Sequence, residues 1–176
     1  MSHIPHVLIV GDVMIDEWIY GNSSRISPEA PIPIVDITHS SKQLGGAGNV
    51  WKNVKSLGGE PYMIGGISNT VDGHWIENMM DESWFYNIPR SFVKKRIVSG
   101  QQQIVRLDYG EGRKITDIEV ERALSKFDED HIDIVIVADY GKGTVTETML
   151  YDLFQFCNER RIKMLIDPYK GDHYFS

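Results

Sequence analysis

An α/β fold built on a parallel sheet, with a smaller β-sheet standing off it, is what the 176-residue sequence predicts. Three observations lead there. Short β-branched apolar runs end in Gly or Asp, segments of helical period lie between them, and two stretches break this rhythm with extended patterns and no crossover helix.

The runs are "HVLIVGD" (6–12), "PYMIGGI" (61–67), "DIVIVAD" (133–139) and "KMLID" (163–167), each reading as a strand buried on both faces. Helical segments follow at "NVWKNVKSLG" (49–58), "DGHWIENMMDES" (72–83), "TDIEVERALSKFD" (116–128) and "TVTETMLYDLFQFCNERR" (144–161). Thr116 with Glu119, and Thr144 with Glu147, have capping-box spacing, and Leu150, Leu153 and Phe154 share one face of the last helix. The extended stretches cover about 17–40 and 92–109, the second a hairpin around Ser99 and Gly100. They read as a flap over the main layer or as an antiparallel extension of the main sheet. Residues 1–176 form a single domain, without internal repeat, low-complexity tract or linker.

Composition narrows the chemistry. With 41% hydrophobic and 24% charged residues the chain is globular, and a net charge of −7 argues against nucleic acid as a partner. Cys157 is the only cysteine, which excludes an intrachain disulfide and a cysteine-based zinc site; no metal site is assigned. The short apolar run before Asp12 and Asp16 reads as neither signal peptide nor membrane span, and a reducing, cytoplasmic setting is expected.

Candidate binding residues cluster where an open α/β sheet presents ligands, beyond the carboxyl ends of its strands. Asp12 and Asp16 follow the first strand, as acceptors for sugar hydroxyls or as a turn residue and a solvated acid. Gly45, Gly46, Gly48 and Asn49 open a helix, where backbone N–H groups can approach a ligand. Neither a dinucleotide fingerprint nor a P-loop is present. In "VADYGKG" (137–143), Asp139 ends a strand and Lys142 can meet an anion or remain solvated. Arg106 lies opposite Val105 on its strand, either under the flap or at the surface.

Together, "VLIVGDVMIDEWIYGNSSRISPEAPIPIVDI", "LGGAGNVWKNVKSLGG", "VKKRIVSGQQQIVRLDY" and "VADYGKG" resemble the N-terminal half of the ribokinase-like (PfkB) carbohydrate kinases. The likeness runs from about residue 5 to residue 168. Within that superfamily the sequence is most similar to the D-glycero-D-manno-heptose 7-phosphate kinases, which make the ADP-heptose precursor of lipopolysaccharide; "SRISPEAPIPIV" is its most specific part. The resemblance implies a truncated Rossmann-like domain with a β lid that closes over the sugar and often forms a dimer contact. It implies that Asp12, Asp16, Gly45, Gly46 and Asn49 hold sugar hydroxyls, and that Arg106, Asp139 and Lys142 border the sugar-phosphate end. ATP and Mg2+ are the implied cofactors.

The family's N-x-x-E motif, associated with Mg2+ and phosphate, does not occur in this sequence, nor does the G-A-G-D motif carrying the general base and anion hole. No catalytic residue is therefore assigned, and an efficient kinase is not expected from this chain alone. Glu17 stands where relatives have a basic residue; Lys95 in "VKKR", against the usual "VKTR", can restore the charge, and Gly48 replaces a more usual Ala. Three readings follow: part of a heptose-phosphate kinase completed by a second, C-terminal kinase chain, a non-catalytic sugar-phosphate-binding protein, or a module that homodimerises through the lid. In each, an open sheet edge needs cover by self-association, a partner chain, or the terminal "DPYKGDHYFS" with Tyr169, Tyr174 and Phe175.

Overall fold

The structure, a computed structural model, describes residues 3–127 and 131–169. In chain order the elements are β1 His6–Gly11, β2 Val13–Ile26, β3 Pro33–Gly46, α1 Ala47–Ser56, β4 Glu60–Ile67, α2 Val71–Met79, β5 Ser83–Asn87, β6 Arg90–Ser99, β7 Gln102–Glu111, α3 Asp117–Lys126, β8 Ile134–Ala138, α4 Glu147–Arg160 and β9 Lys163–Asp167. Five strands form a parallel sheet in the order β5-β4-β1-β8-β9, and the other four form a second sheet in the order β3-β2-β6-β7.

The period-2 alternation of β1 generates the two cores of the main layer. Leu8 and Val10 face one way, into a core completed by Val120 and Phe127 at α3 and by Met149, Leu153 and Phe156 of α4. Val7 and Ile9 face the other way, toward Trp51 of α1 and Ile76 of α2. Leu8, Ile9 and Val10 are completely buried, and such side chains contribute ~1.5–3 kcal/mol each relative to exposure. The four strands read from sequence are present. The fifth, β5, is not among them: the helical pattern read through Ser83 stops at Met79, and Ser83 opens a strand pairing Trp84 with Ile64.

Local chemistry sets the helix starts. At α3 the capping box is formed, with Thr116 N–H donating to Glu119 Oε2 at 2.9 Å, and Arg113 binds the Glu119 carboxylate with both its terminal nitrogens. At α4 the cap lies two residues beyond the expected one: Thr146 Oγ1 accepts from Met149 N–H, while Thr144 is buried and engaged elsewhere. Leu153 is buried on α4, but Phe154 points outward.

The second sheet is a separate flap with longer strands than expected. Its two hairpins, β2–β3 and β6–β7, join through a parallel β2–β6 pairing, and Gly100 turns the second at φ +60°. A reciprocal serine pair fixes its root: Ser68 N–H donates to Ser91 Oγ, and Ser91 N–H to Ser68 Oγ, at 2.8 and 3.0 Å.

At the far edge of the main sheet, β9 pairs with β8 alone among the described residues. Leu165, Tyr151 and Phe154 are more than half exposed there. Tyr169 lies against Gly141; Tyr174 and Phe175 fall outside the described residues. No helix among the described residues is long and apolar enough to cross a membrane.

Arg113 and the Thr116 groups hold the Glu119 carboxyl down at about 2, and the backbone N–H of His6, with His3, holds Asp133 at about 2. Folded values below the unfolded ones give stability that is complete above pH 4.5 and is lost as pH falls toward 2. Glu119→Gln is expected to remove part of that slope; urea midpoints measured from pH 5 to 2.5 read it out.

Candidate functional site

Asp12 is the single residue between β1 and β2, where the chain leaves the main sheet for the flap. Its carboxylate is buried and accepts three backbone N–H groups: Tyr140 and Lys142 at Oδ2, both 2.9 Å, and Thr144 at Oδ1, 3.1 Å. Its own N–H donates to Ala138, and its carbonyl accepts from Ala47, the first residue of α1. Thr144 Oγ1 in turn meets Tyr86 Oη at 3.1 Å, and burial above all pushes the Tyr86 hydroxyl up to about 12. Asp12 thus anchors the loop after β8 and the start of α1, and its oxygens face the protein.

Side-chain alternation along β2 divides the flap into two differently charged faces. The inner face carries Asp16, whose Oδ1 accepts from Arg96 at 2.6 Å; each side chain retains about a fifth of its exposure, 19% and 21%. Arg96 stacks on Trp18, 4.9 Å from the ring centroid. By register Lys94 lies opposite Asp16, and Arg106 opposite Arg96. The 139–143 loop meets this face, with Lys142 over Phe92 and Lys94 over Tyr140 at 5.4 and 6.0 Å. Burial first, then the charges of Asp167, Asp16 and Asp12, raise the Tyr140 hydroxyl above its ordinary value, so at neutral pH it is a hydrogen-bond donor.

Glu17 points to the opposite face and pairs with Lys95 at 3.1 Å. Together with Lys42, Asp72, Arg90 and Tyr109 the pair lines a polar cleft of about 290 Å3. Two of the three sequence departures, Glu17 and Lys95, therefore neutralise each other as direct partners across β2 and β6, away from Asp16.

Asp16 and Arg106 lie on the inner face and Lys142 on the loop above it; Arg106 chelates Asp108 with two nitrogens at 2.8 and 3.0 Å. Asp139 accepts from Gly141 N–H and shapes the loop. Asn49 is exposed on the first turn of α1. The space over Gly45 is filled by Asp16, whose Oδ2 would lie 2.3 Å from a Cβ there. Gly46 caps α1 at φ +57°, a left-handed conformation that favours glycine, with the Asp12 carbonyl 2.5 Å from a Cβ position. Arg96, Lys94, Trp18 and Tyr140 join the site without having been singled out as binding residues. The strand alternation that places Asp16 inward would have selected Trp18, and the pairing of two "VKKR" positions with it needed the parallel β2–β6 register.

Chemically, the inner face offers a held carboxylate for hydroxyl groups and Lys94 and Lys142 for an anion, with Arg96 and Arg106 already paired to Asp16 and Asp108. Among the described residues Asp12, Asp16 and Asp139, held by backbone amides, by Arg96 and by Gly141, do not converge into an oxygen-donor set suited to Mg2+.

No family model matches the chain. It is 35% identical to the Bifunctional protein HldE of Sulfurimonas denitrificans over 98% of its own length and 38% of that protein's. Against the proteins of the same name from Trichlorobacter lovleyi and Koribacter versatilis, identity is 36% and 37%, over 95% and 94% of the chain and 36% of each relative. The chain spans well under half the length of these relatives. Among solved structures it is similar to phosphofructokinase-2 of Escherichia coli, with TM-score 0.66 and 16% identity over 94% of the chain and 55% of that one. A carbohydrate kinase from Agrobacterium tumefaciens gives TM-score 0.64 and 16% identity over 93% and 53%. The fold is that of the ribokinase-like sugar kinases, over about half of their length.

Asp12→Asn keeps one acceptor oxygen but sets an NH2 group against a backbone N–H. The expected cost is ~2–3 kcal/mol, read as a thermal midpoint lowered by roughly 5–10 °C in a chain of this size. Asp16→Asn, which leaves Arg96 stacked on Trp18, is expected to lower the midpoint less.

Proposed function

We propose, for a chain that resembles the HldE proteins in sequence and the ribokinase-like sugar kinases in fold, that it is the acceptor half of a carbohydrate kinase whose substrate is a heptose 7-phosphate. The observation that carries this reading is the Asp16–Arg96 pair, held under the 139–143 loop with Lys94, Arg106 and Lys142 around it. A carboxylate fixed in direction orients vicinal hydroxyls, and Lys94 and Lys142 beside it suit a phosphate monoester. The kinases among its structural neighbours support phosphoryl transfer from ATP as the reaction of the complete fold.

In this reading the chain binds the acceptor, and the remaining half of the fold supplies the general base and the phosphate-stabilising groups. That half would cover β9 and the apolar groove of Leu150, Tyr151, Phe154, Met164 and Ile166. The cytoplasm is the compartment that this substrate assigns. A lid-mediated homodimer is a compatible second reading, favoured by the exposed Ile37, Val105 and Leu107 of the flap.

Isothermal titration with D-glycero-D-manno-heptose 7-phosphate is expected to show one site per chain at micromolar affinity. Asp16→Asn is expected to weaken it at least tenfold with the thermal midpoint little changed. An equal affinity in the variant, or no heat from the wild-type chain at millimolar sugar phosphate, overturns the assignment.

A further inference from the structure

At the opposite end of the main sheet from Asp12, the strands β1 and β8 begin beside each other, and three potential metal ligands converge there. His3 Nε2 lies 2.9 Å from both oxygens of Asp133, and His131 Nε2 lies 3.1 Å from Asp133 Oδ1. One donor atom from each of the three residues fits within a mutual separation of 4.8 Å. We infer that His3, His131 and Asp133 form a binding site for a divalent transition metal of the zinc type.

Donors held at zinc-ligand bond lengths around a tetrahedral ion stand about 3.3 Å apart; the two imidazole-to-carboxylate distances are within a few tenths of an ångström of that, and the two imidazole nitrogens, within 4.8 Å of each other on exposed side chains, need only rotate to close the set. Two imidazoles and one carboxylate suit zinc, copper or nickel and are a poor match for magnesium or calcium. The carboxylate is held in place from behind: Asp133 Oδ2 accepts the backbone N–H of His6 at 2.7 Å. Such a support orients a ligating carboxylate.

The imidazoles are open to solvent, with side-chain exposures of 64% for His3 and 75% for His131, so an ion can reach them and water can complete its shell. His6 stands beside the set, its ring 6.4 Å from that of His131, but its Nδ1 is bonded to Tyr62 Oη at 2.8 Å. A bound ion would tie the segment before β1 to the lead-in of β8. Its place at the amino ends of the strands separates it from the inner face of the flap, and the inference does not rest on the proposed function.

The test uses the full chain freed of metal with a chelator and titrated with Zn2+ alone, followed by Co2+ for its visible absorption. One Zn2+ per chain is expected, with a raised thermal midpoint and Co2+ bands of a low-coordinate nitrogen and oxygen site. His131→Ala and His3→Ala are each expected to weaken binding at least tenfold and to abolish the bands, while His74→Ala on α2 leaves both unchanged. All three substitutions are at exposed side chains, which keeps the fold out of the comparison. No stoichiometric Zn2+ at roughly 100 μM, or binding that survives His131→Ala, overturns the inference.

Discussion

The carboxylate of Asp12 is the constraint on which the candidate site depends. Three backbone N–H groups of the 140–144 segment need acceptors close to the core, and one buried anion satisfies all of them. Hydrogen bonds to a charged acceptor are each worth ~1.5–3 kcal/mol, enough to fix a loop containing Gly141 and Gly143, both at positive φ. The same residue leads the chain from the main sheet into the flap and receives the first N–H of α1. Loop, flap and helix therefore meet at one residue, the loop at its carboxylate and α1 at its carbonyl, and the position of Lys142 and Tyr140 over the flap follows from it.

From that root, the parity of β2 separates two chemistries. Asp16 and Glu17 are adjacent in sequence and point to opposite faces, each taking a basic partner from β6. The inner pair rests over the bare backbone of Gly45, which leaves room for the Asp16 carboxylate. The outer pair neutralises itself within a polar cleft beside α2. A register slip of one residue would exchange the two pairs. The apolar residues Val13 and Ile15, buried against α1 and α2, prevent it.

Much of this was legible in the sequence. "HVLIVGD" and "DIVIVAD" give themselves away as buried strands because each apolar run ends at a Gly or Asp that leaves the sheet, and the Thr116–Glu119 box is local in the chain. Legibility fails where the deciding partner is distant. Thr144 has the spacing of a cap, yet its N–H is claimed by Asp12, 132 residues away, and Thr146 caps instead. β5 is five residues of mostly aromatic sequence directly after a helix, too short to show a period. The residues of the binding face were half visible. Asp16 stood out as an acid after a strand, whereas its partner Arg96 is identified by a parallel pairing across 80 residues. His3 and His131 have no motif at all and meet only because β1 and β8 are neighbours.

The proposed site for a sugar phosphate is the inner face of the flap, under the Asp12-anchored loop. Backbone amide shifts of the isotopically labelled chain, followed during addition of D-glycero-D-manno-heptose 7-phosphate, test it most directly. Changes are expected to concentrate at Asp16, Gly45, Lys94, Arg96, Arg106 and the 139–143 loop, with Lys42, Asp72 and Arg90 of the outer cleft unaffected. Changes centred on the outer cleft, or none at saturating sugar phosphate, would contradict it.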